Sequence, residues 1–278
     1  MSKRKKDLSI LIKSPAQIEM ARVAAELAAD VLTFIEPHVK AGVSTEYLDQ
    51  LCNDYIVNTQ KVIPANVGYG GFPKTVCTSV NQVVCHGIPA PDQILVDGDI
   101  INIDVAVIKD GWHGDTSRMY VVGTASKAAQ KLIDTTFAAM WAGIRAVRPG
   151  ATLGDVGHAI QTVAEKAGYS VVRDYCGHGI GMVYHEEPQV THYGKPSQGL
   201  VLKPGMLFTI EPMINAGRAA TVELDDEWTV ETRDGSLSAQ WEHMVVVTET
   251  GYEVLSLIAS ERKTAAQAES PAPVKAEA

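Results

Sequence analysis

Several signals that would place a chain quickly are missing here. Four cysteines in 278 residues, Cys52, Cys77, Cys85 and Cys176, form no CxxC pair and no dense framework, which excludes a disulfide scaffold and a zinc ribbon. The first residues are charged where a signal peptide needs an apolar core. No apolar run approaches the ~18 residues of a membrane-spanning helix. A cytoplasmic, reduced protein with no membrane partner is the expectation. Basic charge is scarce as well: the net charge of -9 and pI near 5.4 argue against a surface built to grip nucleic acid, and no DNA partner is expected. "GHGIGM" fails as a dinucleotide loop because Met182 stands where GxGxxG needs glycine, and "HEEPQ" fails as a zinc helix because Gln189 stands four after His185. Neither a GxSxG elbow nor a Walker loop occurs.

What is present is a long, 46% hydrophobic chain, enough for one large or two small domains with a sizeable core. Ser14, Pro15 and Gln17 read as a helix start with a capping box, and the helix should run from about 15 to 36. Ser44 opens a second one, and further helices are expected near 126–147 and 153–167. Strands are expected near 75–80, 99–108, 115–122, 170–174, 206–214, 228–231 and 241–256. A repeat underlies this order. "KAGVSTEYL" (40–48) matches "RPGATLGDV" (148–156), and "DGDIINID" (97–104) matches "PGMLFTIE" (204–211), at offsets of 108 and 107. The first pair shares a glycine two residues before a helix cap, and the second a glycine six residues before an acid. Two related halves, each of helices on antiparallel strands and packed face to face, are the implied α+β architecture.

The chemistry starts at "IINIDVAVIKDGWHGDTSRMYVV" (100–122). An Asp110-Gly111 turn pairs Lys109 with Trp112, Asp104 with Ser117 and Ala106 with Asp115, so Asp104 and Asp115 become diagonal neighbours on one face. The strand is too apolar to be wet, and buried carboxylates that close call for a cation. Glu211 occupies the place of Asp104 in the second copy, and Glu242 leads into another β-forming run. With the halves as pseudo-twofold mates, four carboxylates converge, and His178, flanked by glycines, completes a two-metal site. His38, His113, His158, His192 and His243 read as ordinary surface or core residues.

"VCHGIP" (84–89), "NIDVAVIKDGWHGDTSR" (102–118), "CGHGIGMVYHEEPQV" (176–190), "KPGMLFTIEPM" (203–213) and "SLSAQWEH" (236–243) resemble, in order and over residues 10 to 260, the type I, bacterial form of the methionine aminopeptidases. The resemblance implies a pita-bread fold and a dinuclear centre of Asp104, Asp115, His178, Glu211 and Glu242, with Asp115 and Glu242 shared by both ions. It implies hydroxide attack on the first peptide bond of N-terminal methionine when the second residue is small. Glu211 would then handle the proton, His185 would face the oxyanion and His86 the peptide group beyond the cut. The methionine pocket maps onto Asn66, Tyr69, Phe72, Cys77, His86, Tyr184, His185 and Trp228. Asn66, Phe72 and Tyr184 stand where the better-known bacterial enzymes carry Cys, Tyr and Phe. Asn81, Val83 and Ser238 match a monovalent-cation site. The divalent ions could be Co, Mn, Fe or Zn. Nascent N-termini are the expected partners, with a transient ribosome contact through "KRKK" (3–6), and a monomer is expected. The segments divide as a flexible basic N-terminus (1–9), a catalytic domain (10–262) and a disordered tail (263–278). Ser2 is small enough for the chain to lose its own Met1. Two rivals remain: a prolidase or creatinase relative, and a pita-bread protein that binds without catalysis.

Overall fold

A computed structural model describes residues 12–259 and 261–262. The basic N-terminus, Ser2 and the C-terminal tail lie outside the described residues. Helix α1 (Pro15–Ile35) opens as its sequence dictates: Ser14 accepts the Gln17 N–H, the Gln17 side chain accepts the Ser14 N–H, and Pro15 occupies the first turn. Helix α2 (Thr45–Asp54) is capped by Ser44 and runs into a π-helical turn over Tyr55–Gln60. Then come strands β1 (Ile63–Pro64), β2 (Val76–Val80), β3 (Val83–Cys85), β4 (Ile100–Lys109) and β5 (Trp112–Val121). Helices α3 (Lys127–Ala146) and α4 (Leu153–Lys166) open the second half. Its strands are β6 (Ser170–Val171), β7 (Gly177–Gly179), β8 (Glu186–Val190), β9 (Leu207–Ile210), β10 (Met213–Asn215), β11 (Thr221–Glu223), β12 (Val230–Thr232), β13 (Ser238–Gln240), β14 (His243–Val247) and β15 (Tyr252–Val254).

The β4–β5 hairpin has the register read from the sequence: Lys109 faces Trp112, Asp104 faces Ser117 and Ala106 faces Asp115. Asp110 (φ +50°) and Gly111 (φ +83°) both occupy the left-handed region, which a two-residue type I′ turn requires. The outer edge of β4 pairs with β1 and β2. In the second half a five-stranded sheet runs β15-β14-β9-β7-β8, beside two three-stranded sheets, β13-β10-β6 and β11-β12-β3. The expected strand 206–214 breaks in two around Glu211-Pro212, since proline cannot donate to a ladder, and the 241–256 run folds back through a turn at 248–251.

The repeat is visible in small details. Ser44, the cap of α2, bridges Ile94, and Thr152, the cap of α4, bridges Val201. Each half has its own apolar core, one around Ile35, Leu48, Ile103 and Val105, the other around Met140, Ile144, Ile160 and Phe208. A third cluster, with Trp112, Tyr184, Leu207 and Met244, joins α1 and the hairpin to the second half. Alanines 21, 24, 25, 28 and 29 form the buried face of α1, and Gly114 sits so close beneath that a Cβ would lie 2.0 Å from the Ala24 carbonyl oxygen. A backbone bridge between Ser117 and Glu242 closes the seam between the halves. Among the described residues no helix is long and apolar enough to cross a membrane.

Candidate active site

The five acid and imidazole side chains meet at that seam. Asp104 and Asp115 come from β4 and β5, His178 is the middle residue of β7, Glu211 follows β9, and Glu242 precedes β14. His178 Nε2 lies 3.4 Å from Asp115 Oδ2 and 3.6 Å from Glu211 Oε1. One ligand atom each from Asp115, His178 and Glu242 lie within 4.8 Å of one another. Asp104 lines the same cavities as His178 and Glu211, and its Oδ1 is buried with no hydrogen-bond partner.

Burial, then the neighbouring carboxylates, drives Asp104 and Glu242 well above the ordinary carboxylate range. Burial does the same to Glu211, where nearby His178 opposes it. Burial opposes a charge on His178, but Asp115 and Glu211 outweigh it and raise the imidazole. This is the signature of a site short of positive charge. Its donors suit a divalent cation. The His178 Nδ1–H is committed to the Gly179 carbonyl at 3.0 Å, which leaves the Nε2 lone pair of the neutral ring facing the carboxylates, as a metal-binding histidine requires. Oxygen donors with one imidazole are hard to borderline ligands that suit divalent cations.

Three residues not singled out in the sequence hold Glu211. Thr209 Oγ1 donates to its Oε1 at 2.6 Å, Gln240 Nε2 to its Oε2 at 3.4 Å, and His192 Nε2 accepts its backbone N–H at 3.1 Å. Strand alternation could have found Thr209, two residues before Glu211 on the same face. Nothing in the sequence distinguishes His192, whose complete burial lowers its pKa to about 3.

All eight residues expected in the methionine pocket line one cavity of about 210 Å³ that opens onto the acid cluster. Tyr184 donates to Asn66 Oδ1 at 2.8 Å, and Asn66 donates to the Thr75 carbonyl at 3.1 Å. The His185 ring lies 4.3 Å from Tyr184 and 4.1 Å from His178, and its Nδ1 is 2.6 Å from the Tyr69 hydroxyl. Burial, reinforced by His178, lowers His185 to about 4. His86 faces Trp228 and Tyr175 edge-on and is also lowered by burial. It is held at φ +57°, a conformation costly for a non-glycine residue and common where function fixes a side chain. A second cavity of about 400 Å³ shares His86, His178, His185 and Glu211, and leads outward past Asp174, Tyr175 and Glu187. At the expected monovalent-cation site, the Asn81 carbonyl accepts the Ser238 N–H at 2.9 Å, Ser238 Oγ donates to Asn215 Oδ1, and Val83 is paired with Glu231. Of the histidines read as ordinary, His113 stacks on Tyr184 at 5.2 Å and braces the pocket from behind.

A buried acid cluster in a pseudo-symmetric fold, opening into an aromatic-lined pocket, fits a metallopeptidase, and the model of metallopeptidase family M24 matches residues 19–249. The methionine aminopeptidase of Escherichia coli (strain K12) is 56% identical over 250 residues, covering 90% of this chain and 95% of that one. The crystal structure of methionine aminopeptidase from Rickettsia prowazekii superposes with a TM-score of 0.87 at 54% identity, covering 89% of this chain and 100% of that one. The Thermotoga maritima methionine aminopeptidase gives 0.87 at 38% identity, over 89% and 99%. The chain belongs to metallopeptidase family M24 and, within it, to the methionine aminopeptidases.

Proposed function

We propose that the chain removes N-terminal methionine from nascent proteins and peptides whose second residue is small, with two divalent cations held by Asp104, Asp115, His178, Glu211 and Glu242. The observation that carries this reading is a buried cluster of four carboxylates and one imidazole at the mouth of an aromatic, sulfur-lined pocket. When bound, divalent cations supply Lewis acidity, which lowers the pKa of water and polarises a carbonyl.

The chain's own residues do the rest. Asn66, Tyr69, Phe72, Cys77, Tyr184 and Trp228 enclose a thioether, which is flexible and polarisable enough to fill such a slot. Glu211, its carboxylate aimed by Thr209 and Gln240, takes a proton from the attacking water and passes it to the leaving amine. His185 is neutral at pH 7. Its Nδ1 meets the Tyr69 hydroxyl, and the tautomer that carries the ring hydrogen on Nε2 has it ready to be donated to the oxyanion of the tetrahedral intermediate. His86, fixed by its backbone, holds the peptide group beyond the cut. Recognition of the free α-amine at the cation site limits removal to one residue.

The donor set fits Mn, Fe, Co and Zn alike. The same reading makes the protein a cytoplasmic monomer that meets nascent chains, touches the ribosome transiently through its basic N-terminus, and has no DNA or membrane partner; the net charge of -9 supports the last two points. The test is release of free methionine from Met-Ala-Ser and Met-Leu-Ser, in metal-free buffer and with each of the four metals. Metal-dependent cleavage of Met-Ala-Ser alone is the expected result. Folded protein releasing methionine with no metal added back would overturn the reading.

A further inference from the structure

The loop that carries Tyr184 and His185 is tied down by a charge pair that the reaction does not consume. Lys13, in the segment just before α1, places its Nζ 2.5 Å from Glu186 Oε2, and the two side chains are only 4% and 8% exposed. Ion pairs this deep are poor stabilisers, because desolvation offsets their attraction, and their better-attested use is to fix one arrangement of the chain. The surroundings fit that use. The Lys13 N–H donates to the Gly205 carbonyl at 2.8 Å and Ile12 bridges Met206, so the segment is fastened beside β9. The second oxygen of Glu186 accepts the Val183 N–H at 3.4 Å, bracketing the two residues between them, Tyr184 and His185. Gly181 passes so close that a Cβ there would lie 2.7 Å from both Lys13 Nζ and Glu186 Oε1, and its carbonyl accepts from the His113 ring and backbone.

We infer that Lys13 is a positioning residue: through Glu186 it holds the 181–186 loop so that His185 and Tyr184 face the acid cluster. This rests on the functional reading above. Lys13 touches neither substrate nor the reacting atoms, and its effect is transmitted through the angle of the His185 ring. Misplacement of a catalytic group by about 1 Å is worth up to about a hundredfold in rate.

Removing one charge strands the other in the interior, so Lys13→Met alone could simply unfold the chain. The informative variant is Lys13→Met/Glu186→Leu, which removes both charges and keeps the volume, alongside the charge-swapped Lys13→Glu/Glu186→Lys. The metal-loaded proteins are assayed on Met-Ala-Ser, metal affinity is measured by calorimetry, and the histidine ring nitrogens are followed by ¹⁵N NMR in the metal-free state. Expected for the apolar double variant are a kcat lowered about 10- to 100-fold, a metal affinity within about twofold of the parent, altered His185 ring signals, and partial recovery of kcat in the swapped pair. A folded apolar double variant with parental kcat and unshifted His185 signals would overturn the inference. If the parent itself releases no methionine, the functional reading fails instead, and the His185 signals alone decide whether Lys13 positions the loop.

Discussion

At the scale of single residues the site depends on groups whose proton affinities burial moves away from their values in water. Asp104, Glu211 and Glu242 are carboxylates in a medium that favours their neutral forms, and His185 is an imidazole kept unprotonated. Glu211 is the most heavily supported of them, with Thr209 and Gln240 on its oxygens and His192 on its backbone. The role in moving a proton proposed for it can be separated from its role in filling space. Glu211→Gln keeps the size and can still accept from Thr209, but gives up the site that accepts the proton. A fall in kcat of about 10² to 10⁴ is expected with the fold retained, measured as methionine release beside a circular dichroism melt. Turnover at the parental level would remove Glu211 from the mechanism.

At the scale of elements, caps and turns decide where helices and strands begin. The capping box of α4 is a clear case. Asp155 accepts the Ser197 N–H, the Thr152 N–H and the Thr152 hydroxyl, at 2.9, 2.7 and 2.8 Å, and these bonds hold its carboxyl below the usual range. The direction follows from linkage: the unfolded chain takes up the proton near pH 3.9, before the folded chain does. The contribution is therefore complete above about pH 4 and fades as the pH falls through the lower folded value. Asp155→Asn should lower the urea midpoint at pH 7, and the gap to the parent should narrow at pH 3. A gap that does not change with pH would show that the charge contributes nothing.

Elements of this kind were also the most legible from sequence. Ser14, Ser44 and Thr152 announce their helices, and Asp110-Gly111 fixes a ten-residue register, because turn and cap chemistry is local. Strand β7 was missed because "GHG" is given over to His178 and close backbone approach, and β8 because the apolar face of "EEPQV" is only Pro188 and Val190, too short a pattern to read. The acid cluster could be assembled because the repeat supplies the missing half of the geometry. The supports from His192 and Lys13 could not, since each joins segments far apart in the chain by contacts that leave no periodic trace.

For the whole molecule, the proposed cation site lies across the seam, with Asp104 and Asp115 from one half and His178, Glu211 and Glu242 from the other. Without a cation, burial and mutual repulsion oppose the ionised forms of Asp104, Glu211 and Glu242 at the contact between the two cores. Adding metal should stabilise the molecule by mass action: a hundredfold excess over the dissociation constant is worth about 2.7 kcal/mol, or about 5 to 10 °C in melting temperature for a domain of this size. A chelator-stripped sample titrated with Mn or Co in a thermal-shift assay should show this rise, and Glu242→Gln should show much less of it. An unchanged melting temperature would mean that the cluster does not hold the ion.

Asp115 and Glu242 lie on opposite sides of the seam and nearly half the chain apart. Neither half alone carries a full set of donors. A chain in which only the first half has formed, or from which the second has peeled away, offers two aspartates and nothing to complete them. On the proposed reading such a chain is proteolytically silent. On that reading hydrolytic power is switched on by the final closure of the molecule and lost at its first opening, so a damaged or unfinished copy does not act as a stray peptidase.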